Sequence, residues 1–342
     1  MENSFVHLHA HTEYSMLDGA AKIEPFLNRI LELEQPGAAI TDHGNLYGAL
    51  EFYNSAIKKK LKPIIGYEAY VISDSRFERP DRKNNKRYHL TLLAENTVGY
   101  WNLVEMASKA FTEGYYYKPR IDYELLKEYS EGIIALSGCL GGEIAQLLAP
   151  DGSVEEGNQG QTRSFDDALK KAEFYQSIFG ENNFFIELHK HGIKQQEDIL
   201  PDLLKISEKL SAPLVATNDS HYVHSDDASA HDALLCVQTN ATLDDENRFK
   251  FDGSGFYIKS SEEMRDLFPN EKFPDACNNT LKILDRVEYE FEKDTYYLPD
   301  FPIDDSSKNV DEYLKEKVYQ GAESLYGELS SELEERINYE LE

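Results

Sequence analysis

Three histidines near the amino terminus alternate with apolar residues: His7, His9 and His11 are separated by Leu8 and Ala10. In an extended chain this alternation places all three imidazoles on one face. Imidazole nitrogens are common ligands of zinc and iron. Three alternate histidines on one strand are too spread out to bind a single ion together. We therefore expect His9 and His11 to bind metal and His7 to support them through a hydrogen bond.

Other potential ligands follow short apolar runs further along the chain. They come where predicted strands end: Asp42 with His43, Glu68, Cys139, and Asp219 with His221. Asp18 lies in the loop after the histidine segment. Because the carboxyl ends of the strands of a parallel α/β barrel converge on one rim, we expect these side chains to meet there. His89 is the exception, since it precedes an apolar run and the pattern alone does not place it.

A rim that carries several imidazoles, a thiol and three or four carboxylates needs positive charge. Without it the acids repel one another in a partly desolvated site. The sequence therefore predicts divalent metal ions, and the thiol of Cys139 favours zinc, with manganese or iron as alternatives. Two or three such ions roughly 3.5 to 4 Å apart are typical of phosphoryl transfer, in which one ion activates water and its neighbour stabilises the leaving oxygen.

The remaining histidines and cysteines have simpler interpretations. We expect His189 and His191 to contact substrate or to support a ligand rather than to bind metal. The others fit ordinary positions, on the surface, on a helix or as buried thiols: His224, His231, Cys236 and Cys277.

Two segments have the composition of surface loops. Segment 76–87 holds six basic residues, and it is either a solvated face or a contact for a nucleic-acid backbone beside the metal rim. Segment 151–162 is rich in glycine and polar residues, which predicts a mobile loop.

The elements that must position these residues follow from apolar patterning. Seven short apolar runs are candidate strands: 5–6, 38–40, 63–65, 90–93, 133–136, 184–186 and 213–216. Apolar spacing of three and four predicts helices at 23–31, 46–60, 100–111 and 164–179. Strands that alternate with helices indicate parallel β/α units, and seven of them favour a barrel over a short open sheet.

The composition excludes several classes of protein. The 342 residues are 41% hydrophobic, enough for a large core, and no apolar run approaches the roughly 18 residues of a membrane-spanning helix. Three cysteines and no amino-terminal signal pattern indicate a reducing, cytoplasmic setting. The net charge of −28 repels a phosphate backbone at long range, so any nucleic-acid contact must be local.

The composition changes after about residue 278. Segment 279–342 is richer in acidic and aromatic residues, and Pro299, Pro302 and the turn-like run 304–307 mark a linker before a mainly helical end. We expect one domain over 1–278 and a partial, mainly helical extension over 279–342. Because the last residues continue a helix-like pattern without a cap, we expect the chain to be part of a longer protein.

The ordered motifs resemble those of the PHP (polymerase and histidinol phosphatase) family, and most closely its members in bacterial replicative polymerases. The resemblance spans essentially the whole chain and rests on six motifs: FVHLHAHTEYSMLDGA (5–20), AITDHGNLYGALEFY (39–53), KPIIGYEAYV (62–71), YHLTLLAEN (88–96), GIIALSGCLGGEI (132–144) and ATNDSHYV (216–223). It implies an α/β fold, a distorted (β/α)7 barrel, with a trinuclear metal site. It assigns nine residues to three ions in overlapping sets: His9, His11, Glu68 and Asp219; Glu68, His89 and Cys139; and Asp18, His43 and His221.

The same resemblance implies a function. Segment 279–342 would include the start of a polymerase palm, so the chain by itself would not polymerise DNA. The hypothesis is a metal-dependent 3′ to 5′ exonuclease that acts on the 3′ end of a DNA primer, with Asp18, Glu68 and Asp219 as catalytic residues. The partners implied are the remainder of the polymerase chain and the exonuclease and sliding-clamp subunits of a replicase.

Two alternatives stay open. In some members of the family the ligands are lost, and the domain is a scaffold that braces the polymerase and docks a separate exonuclease. Other members hydrolyse small phosphomonoesters such as histidinol phosphate. Here all nine positions keep residues that can bind metal, which favours an active site, and the palm-like tail argues against a small-molecule phosphatase.

Overall fold

The protein is described by a computed structural model in two compact units, Met1–Glu290 and Phe291–Glu342. The first unit extends twelve residues beyond the predicted boundary at 278, because the helix Asn278–Arg286 buries Ile283 and Leu284 in the core of that unit. The structure describes residues 3–81, 84–150, 162–251, 253, 255–291, 295–299, 301–303 and 308–342.

Seven strands form one mixed sheet in the first unit: β1 (Gly37–Ile40), β2 (Lys62–Ile72), β3 (Tyr88–Ala94), β4 (Arg120–Asp122), β5 (Ile133–Leu136), β6 (Phe184–Leu188) and β7 (Leu214–Ala216). The order is β1-β2-β3-β5-β6-β7, and β4 pairs with β2. All of these pairs are parallel except those of β3, which runs antiparallel to β2 and to β5. The described residues between β2 and β3 hold no α-helix, and an antiparallel neighbour needs no crossover helix.

The predicted first strand at 5–6 is not a regular strand. Instead, isolated pairs tie the histidine segment to both ends of the sheet, His7 to Ala38 of β1 and Ala10 to Ser220 after β7. The sheet therefore curls into a half-barrel with the histidine segment between its first and last strands. The other six predicted strands are present, and β4 is the seventh.

Helices surround the sheet: α1 (Ile23–Glu32), α2 (Ala49–Lys58), α3 (Thr97–Thr112), α4 (Tyr123–Glu128), α5 (Glu143–Leu148), α6 (Phe165–Phe179), α7 (Lys194–Leu210), α8 (Ala228–Thr239), α9 (Ser261–Leu267) and α10 (Asn278–Arg286). The four predicted helices correspond to α1, α2, α3 and α6. Helix α1 buries the stripe that predicted it, including Phe26 and Ile30. Asn96 and Ser164 cap the amino termini of α3 and α6 through their side-chain oxygens.

The basic segment 76–87 is anchored by its first residue. Arg76 is buried, and its guanidinium lies 3.1 Å from the carboxylate of Asp122. Arg120 of β4, also buried, donates to the carbonyl oxygens of Arg76 at 3.1 Å and Glu78 at 2.8 Å. Arg76 thus stabilises the fold, while residues 82–83 and the predicted loop at 151–162, apart from residue 162, lie outside the described residues.

The second unit contains two helices, α11 (Val310–Tyr326) and α12 (Ser331–Leu341), as the predicted helical extension requires. Asn309 and Glu312 form a reciprocal capping box at α11, and Ser330 caps α12. Across the described chain, none of the helices combines the length and the apolar character needed to span a bilayer.

Candidate metal centre

The nine residues assigned by resemblance meet around the carboxylate of Glu68. The sequence predicted Glu68 at the end of a strand, but β2 continues past it to Ile72. His89, which the pattern could not place, is the second residue of β3. Because β3 runs antiparallel, its beginning lies opposite the later part of β2, and His89 pairs in register with Tyr70.

The first set of contacts joins the histidine segment to the turn after β7. Nε2 of His11 lies 3.1 Å from Oδ1 of Asp219, and Nε2 of His9 lies 3.5 Å from the same oxygen. Nε2 of His9 is also 3.4 Å from Oε1 of Glu68. Ligand atoms that share an ion with bonds of about 2.0 to 2.2 Å lie roughly 3 to 4 Å apart, so this spacing suits a common cation.

The second set lies on the other side of Glu68. Nδ1 of His89 is 3.0 Å from Oε1 of Glu68. Sγ of Cys139 is 3.6 Å from the same carboxylate oxygen and 3.6 Å from Nδ1 of His89. Glu68 therefore touches both sets, which is the position of a bridging carboxylate.

The third set is built on Asp18. Its Oδ2 lies 2.7 Å from Nε2 of His43 and 3.3 Å from Nε2 of His221. The opposite nitrogen of His43, Nδ1, lies 2.6 Å from Oε2 of Glu68. His43 thus links the Asp18 set to the Glu68 carboxylate.

Hydrogen bonds fix which nitrogen of several imidazoles faces the cluster. Three Nδ1 atoms lie against acceptors: His9 against Glu187 (2.7 Å), His11 against Ser15 (3.1 Å) and His221 against the backbone carbonyl of Asp219 (2.8 Å). Ser15 accepts from His11 because its own hydroxyl hydrogen goes to Asp42 at 2.6 Å. With Nδ1 protonated as the donor, each Nε2 presents a lone pair to the cluster, which is the tautomer that binds a metal.

Buried polar atoms at the centre lack hydrogen-bond partners within the described part of the chain. They are Nε2 of His9, Nε2 of His11, Nδ1 of His43, Oε2 of Glu68 and Oδ1 of Asp219, which lie close to one another but not in hydrogen-bonding geometry. Buried polar atoms are rarely left unsatisfied, and a group of lone pairs that point at one another is satisfied by a cation. The residues present therefore fit divalent metal ions.

The electrostatics of the cluster agree with a need for positive charge. Burial would raise the pKa of Asp18, Glu68 and Asp219, but the neighbouring imidazoles outweigh it and hold each pKa well below its usual value. Burial likewise opposes protonation of His43, yet Glu68 and Asp18 raise its pKa to about 9. Protons on the imidazoles thus balance the ionised acids where divalent ions are absent.

Sequence reasoning missed the carboxylate behind the cluster. Glu187 in β6 is buried, and it accepts from His9, from the hydroxyl of Thr217 at 2.6 Å and from the backbone N–H of Gly138 at 2.9 Å. An acid inside the apolar run FFIEL was the available signal, because a buried carboxylate needs partners. His189, expected to support a ligand or contact substrate, lies 3.0 Å from Glu187.

Two other histidines also contact the backbone of cluster residues or their neighbours. His231, expected to be an ordinary helix or surface residue, is buried, and its Nε2 lies 2.7 Å from the carbonyl oxygen of Asp18. Nε2 of His191 lies 2.9 Å from the carbonyl oxygen of Asn218, the residue before Asp219. Of the remaining residues, His224 is exposed, whereas Cys236 and Cys277 are buried free thiols as expected.

The cluster forms the floor of a cavity of about 860 Å³. The side chains of His43, Asp18 and Asp219 are partly exposed, at 18, 12 and 13%, and Cys139 is also only partly buried. His9, His11 and Glu68 lie deeper, at 0 to 1%. A ligand that enters the cavity therefore meets the Asp18 and Asp219 side of the cluster first.

Known proteins resemble this chain at several levels. The chain is 41% identical to the DNA polymerase III subunit alpha of Borreliella burgdorferi over 339 residues, which are 98% of this chain and 28% of that protein. It is 44% identical to the subunit of the same name from Saccharopolyspora erythraea, covering 99% of this chain and 29% of that protein. This chain therefore spans less than a third of the length of these relatives.

This chain is also similar to a solved structure and to one family of domains. A Bifidobacterium adolescentis protein assigned as a metal-dependent phosphoesterase has a TM-score of 0.41 and 13% identity, and the match covers 76% of this chain and 94% of that chain. That score is too low to support an argument about the site. The PHP domain family matches residues 7–191, which are more than half of the 342 residues. This chain is accordingly a member of the PHP domain family.

Proposed function

We propose that the chain is the PHP-bearing part of a DNA polymerase III alpha subunit and that its cluster is a phosphoesterase centre for three divalent ions, most favourably zinc. The activity proposed is removal of nucleotides from the 3′ end of a DNA primer. One observation carries the proposal: nine side chains from distant parts of the sequence meet around a single central carboxylate, Glu68, at the floor of a cavity.

The residues of the cluster would have different roles in such a centre. Divalent ions in this position would activate water and neutralise the charge that develops on a phosphoryl group. Glu68 holds the sets of ligands in register, because both of its oxygens are in contact with imidazoles. Of the carboxylates that line the cavity, those of Asp18 and Asp219 are the more exposed, so they would orient an ion against the substrate. The depth of His9 and His11 keeps bulk water from the rear of the cluster.

The proposal is tested by measuring metal content and primer-end hydrolysis together, for the parent chain and for Asp219→Asn. We expect the parent to retain more than one metal ion per chain and to shorten a 3′-labelled primer. Asp219→Asn should reduce both metal content and hydrolysis, because the amide removes a charged ligand. Asp244→Asn, an exposed aspartate of the same chain, is the matched control and should match the parent.

The result also separates the proposal from its alternatives. A scaffold that only docks another exonuclease would hold less than one ion per chain and leave the primer intact. A phosphomonoesterase would hydrolyse small phosphomonoesters and leave primer ends untouched. Either outcome would remove proofreading from consideration.

The context proposed for this activity is a longer polymerase chain. The relatives named DNA polymerase III subunit alpha are more than three times as long as this chain, so the remainder of such a polymerase is the first partner proposed. On the same basis we propose that the second unit, with α11 and α12, is the start of the polymerase palm.

A further inference from the structure

The outer wall of the cavity above the cluster is aromatic. Tyr47, Phe111 and Tyr115 line it, although their side chains are 60, 38 and 53% exposed. The rings form a row: the centroids of Tyr47 and Phe111 are 6.0 Å apart, and those of Phe111 and Tyr115 are 6.1 Å apart with an interplanar angle of 18°. These three rings are called the aromatic row below. Large apolar side chains exposed side by side indicate a surface that is covered when a ligand binds.

Charge along the cavity differs from charge over the whole chain. The chain has 63 acidic and 35 basic residues, yet among the described residues the lining contains three acids, Asp18, Glu68 and Asp219, all of them at the floor. Three basic residues line the same cavity: Lys118, Arg248 and Lys250. Their positive charge complements a polyanion that passes over the aromatic row.

The two lysines are the cations available for such a ligand. Arg248 is bound to the carboxylate of Asp232 at 2.6 Å. Lys118 and Lys250 have no carboxylate within ion-pair distance among the residues that the structure describes. The ammonium of Lys118 lies 5.1 Å from the ring centroid of Tyr70, which also lines the cavity.

We propose, on the basis of the function proposed above, that the aromatic row with Lys118 binds the unpaired nucleotides of a single-stranded DNA end beside the cluster. Exposed rings stack on the face of any base, and a nearby ammonium holds the backbone phosphates. Bases inside a duplex are stacked on their neighbours and offer no free face. The row therefore selects frayed ends over paired ends, with little dependence on sequence.

Binding of a labelled single-stranded dodecathymidylate with phosphorothioate 3′ linkages, in manganese buffer, tests this inference. We expect the double variant Tyr47→Ala/Tyr115→Ala to bind about tenfold or more weakly than the parent, since two stacking surfaces are removed. Tyr47→Phe/Tyr115→Phe should restore the binding that alanine removes, because stacking needs the ring and not the hydroxyl. Trp101→Ala, which removes a ring 60% exposed and outside the cavity, is the matched control.

The ligand supplies a second, independent measurement. A strand with abasic sites at its last two positions keeps every phosphate and loses two bases, so it should bind the parent as weakly as the normal strand binds the alanine variant. Equal binding of the abasic and normal strands would overturn the inference. So would parent-like binding by the alanine variant, or equal binding of a blunt duplex.

Hydrolysis of an unmodified 3′-labelled primer, measured in parallel, separates this inference from the proposed function. If the parent cleaves the primer and the alanine variant binds and cleaves equally well, the aromatic row is refuted while the exonuclease proposal stands. A second outcome is that binding weakens when the rings or the bases are removed, while neither the parent nor any variant cleaves the primer. The aromatic row is then supported and the exonuclease proposal fails.

Discussion

The imidazole of His9 has Nε2 facing the cluster and Nδ1 hydrogen-bonded to Glu187. A carboxylate behind a metal-binding histidine fixes the ring and its tautomer. Glu187 remains ionised because His9 and His189 outweigh the effect of burial and lower its pKa. It therefore serves as a positioning residue for the first set of ligands.

Replacement of Glu187 with Gln should weaken metal binding about 10- to 100-fold, because the amide is a poorer acceptor for Nδ1 of His9. Metal titration followed by elemental analysis measures the change. Glu208→Gln, at an exposed glutamate on α7, is the control and should bind metal as the parent does. Unchanged affinity in Glu187→Gln would show that His9 is oriented by other contacts.

His7 stabilises the fold and does not belong to the cluster. It is fully buried, its Nε2 lies 2.9 Å from the carbonyl oxygen of Lys259, and burial lowers its pKa to about 4. Thus His7 contacts the backbone of Lys259 and not one of the proposed metal ligands. Its imidazole stays neutral in the folded chain at neutral pH.

The pKa of His7 predicts an acid-dependent loss of stability. Below pH 6.5 the unfolded chain binds a proton at His7 that the folded chain does not, so the free energy of unfolding falls as the pH drops towards 4, by about 3 kcal/mol in total. His7→Gln removes this contribution and should flatten the loss over that range. Urea unfolding at pH 7, 6, 5 and 4.5 measures it, and parallel curves for parent and variant would contradict the assignment.

The turn after β7 places Asp219 in an uncommon backbone conformation. Its φ is 41°, a value that residues other than glycine rarely adopt. Asn218 secures the turn, since its amide donates to the carbonyl oxygens of Gly255 at 2.8 Å and Tyr257 at 2.7 Å. Its side-chain oxygen accepts from the buried ammonium of Lys259 at 2.9 Å.

Asn218→Ala should therefore destabilise the first unit by about 2 to 3 kcal/mol, because its three hydrogen bonds to Gly255, Tyr257 and Lys259 are lost. It should also weaken metal binding, since Asp219 is no longer held in place. Chemical unfolding and metal titration measure the two effects. The exposed Asn247 provides the control Asn247→Ala, and a variant of Asn218 that unfolds like this control would refute the role of the turn.

Many of the strands and helices could be predicted from the sequence. Six predicted strands and four predicted helices are present, since their apolar patterns are strong and local. The direction of β3 could not be predicted, because pairing is a long-range property, and the parallel interpretation left His89 unplaced. The three-residue strand β4 has no apolar run to mark it, and its first residue is the charged Arg120.

Part of the candidate site could likewise be predicted from the sequence, and part could not. Types and spacing alone indicated a metal rim, and the resemblance supplied the grouping of nine residues that the geometry brings together. The supporting roles of Ser15 and His231 could not be predicted, because hydrogen bonds from Ser15 to Asp42 and from His231 to the backbone of Asp18 leave no pattern in the sequence. Glu187 left one signal, an acid inside an apolar run.

At the scale of the whole molecule, three acids gathered at the cavity floor should make stability depend on bound cations. Removal of metal by a chelator should lower the Tm of the chain by roughly 5 to 10 °C, since ions bound at 100 times their Kd contribute about 3 kcal/mol. Differential scanning calorimetry with and without added zinc or manganese measures this shift. Asp219→Asn should show a smaller shift, and an equal Tm with and without metal would exclude a folded-state cluster of tightly bound ions.

The histidine segment lies between β1 and the turn after β7, and the backbone N–H of Val6 donates to the hydroxyl of Thr280. During synthesis at about 5 to 20 residues per second, roughly 10 to 40 s separate the appearance of His11 from that of His221 on the ribosome. During this delay His7 can pair with Ala38 of β1, but Ala10 still lacks its partner Ser220. The histidine segment is thus made early and completed late, and a nascent chain stalled before residue 220 would leave one side of it open to chaperones and proteases.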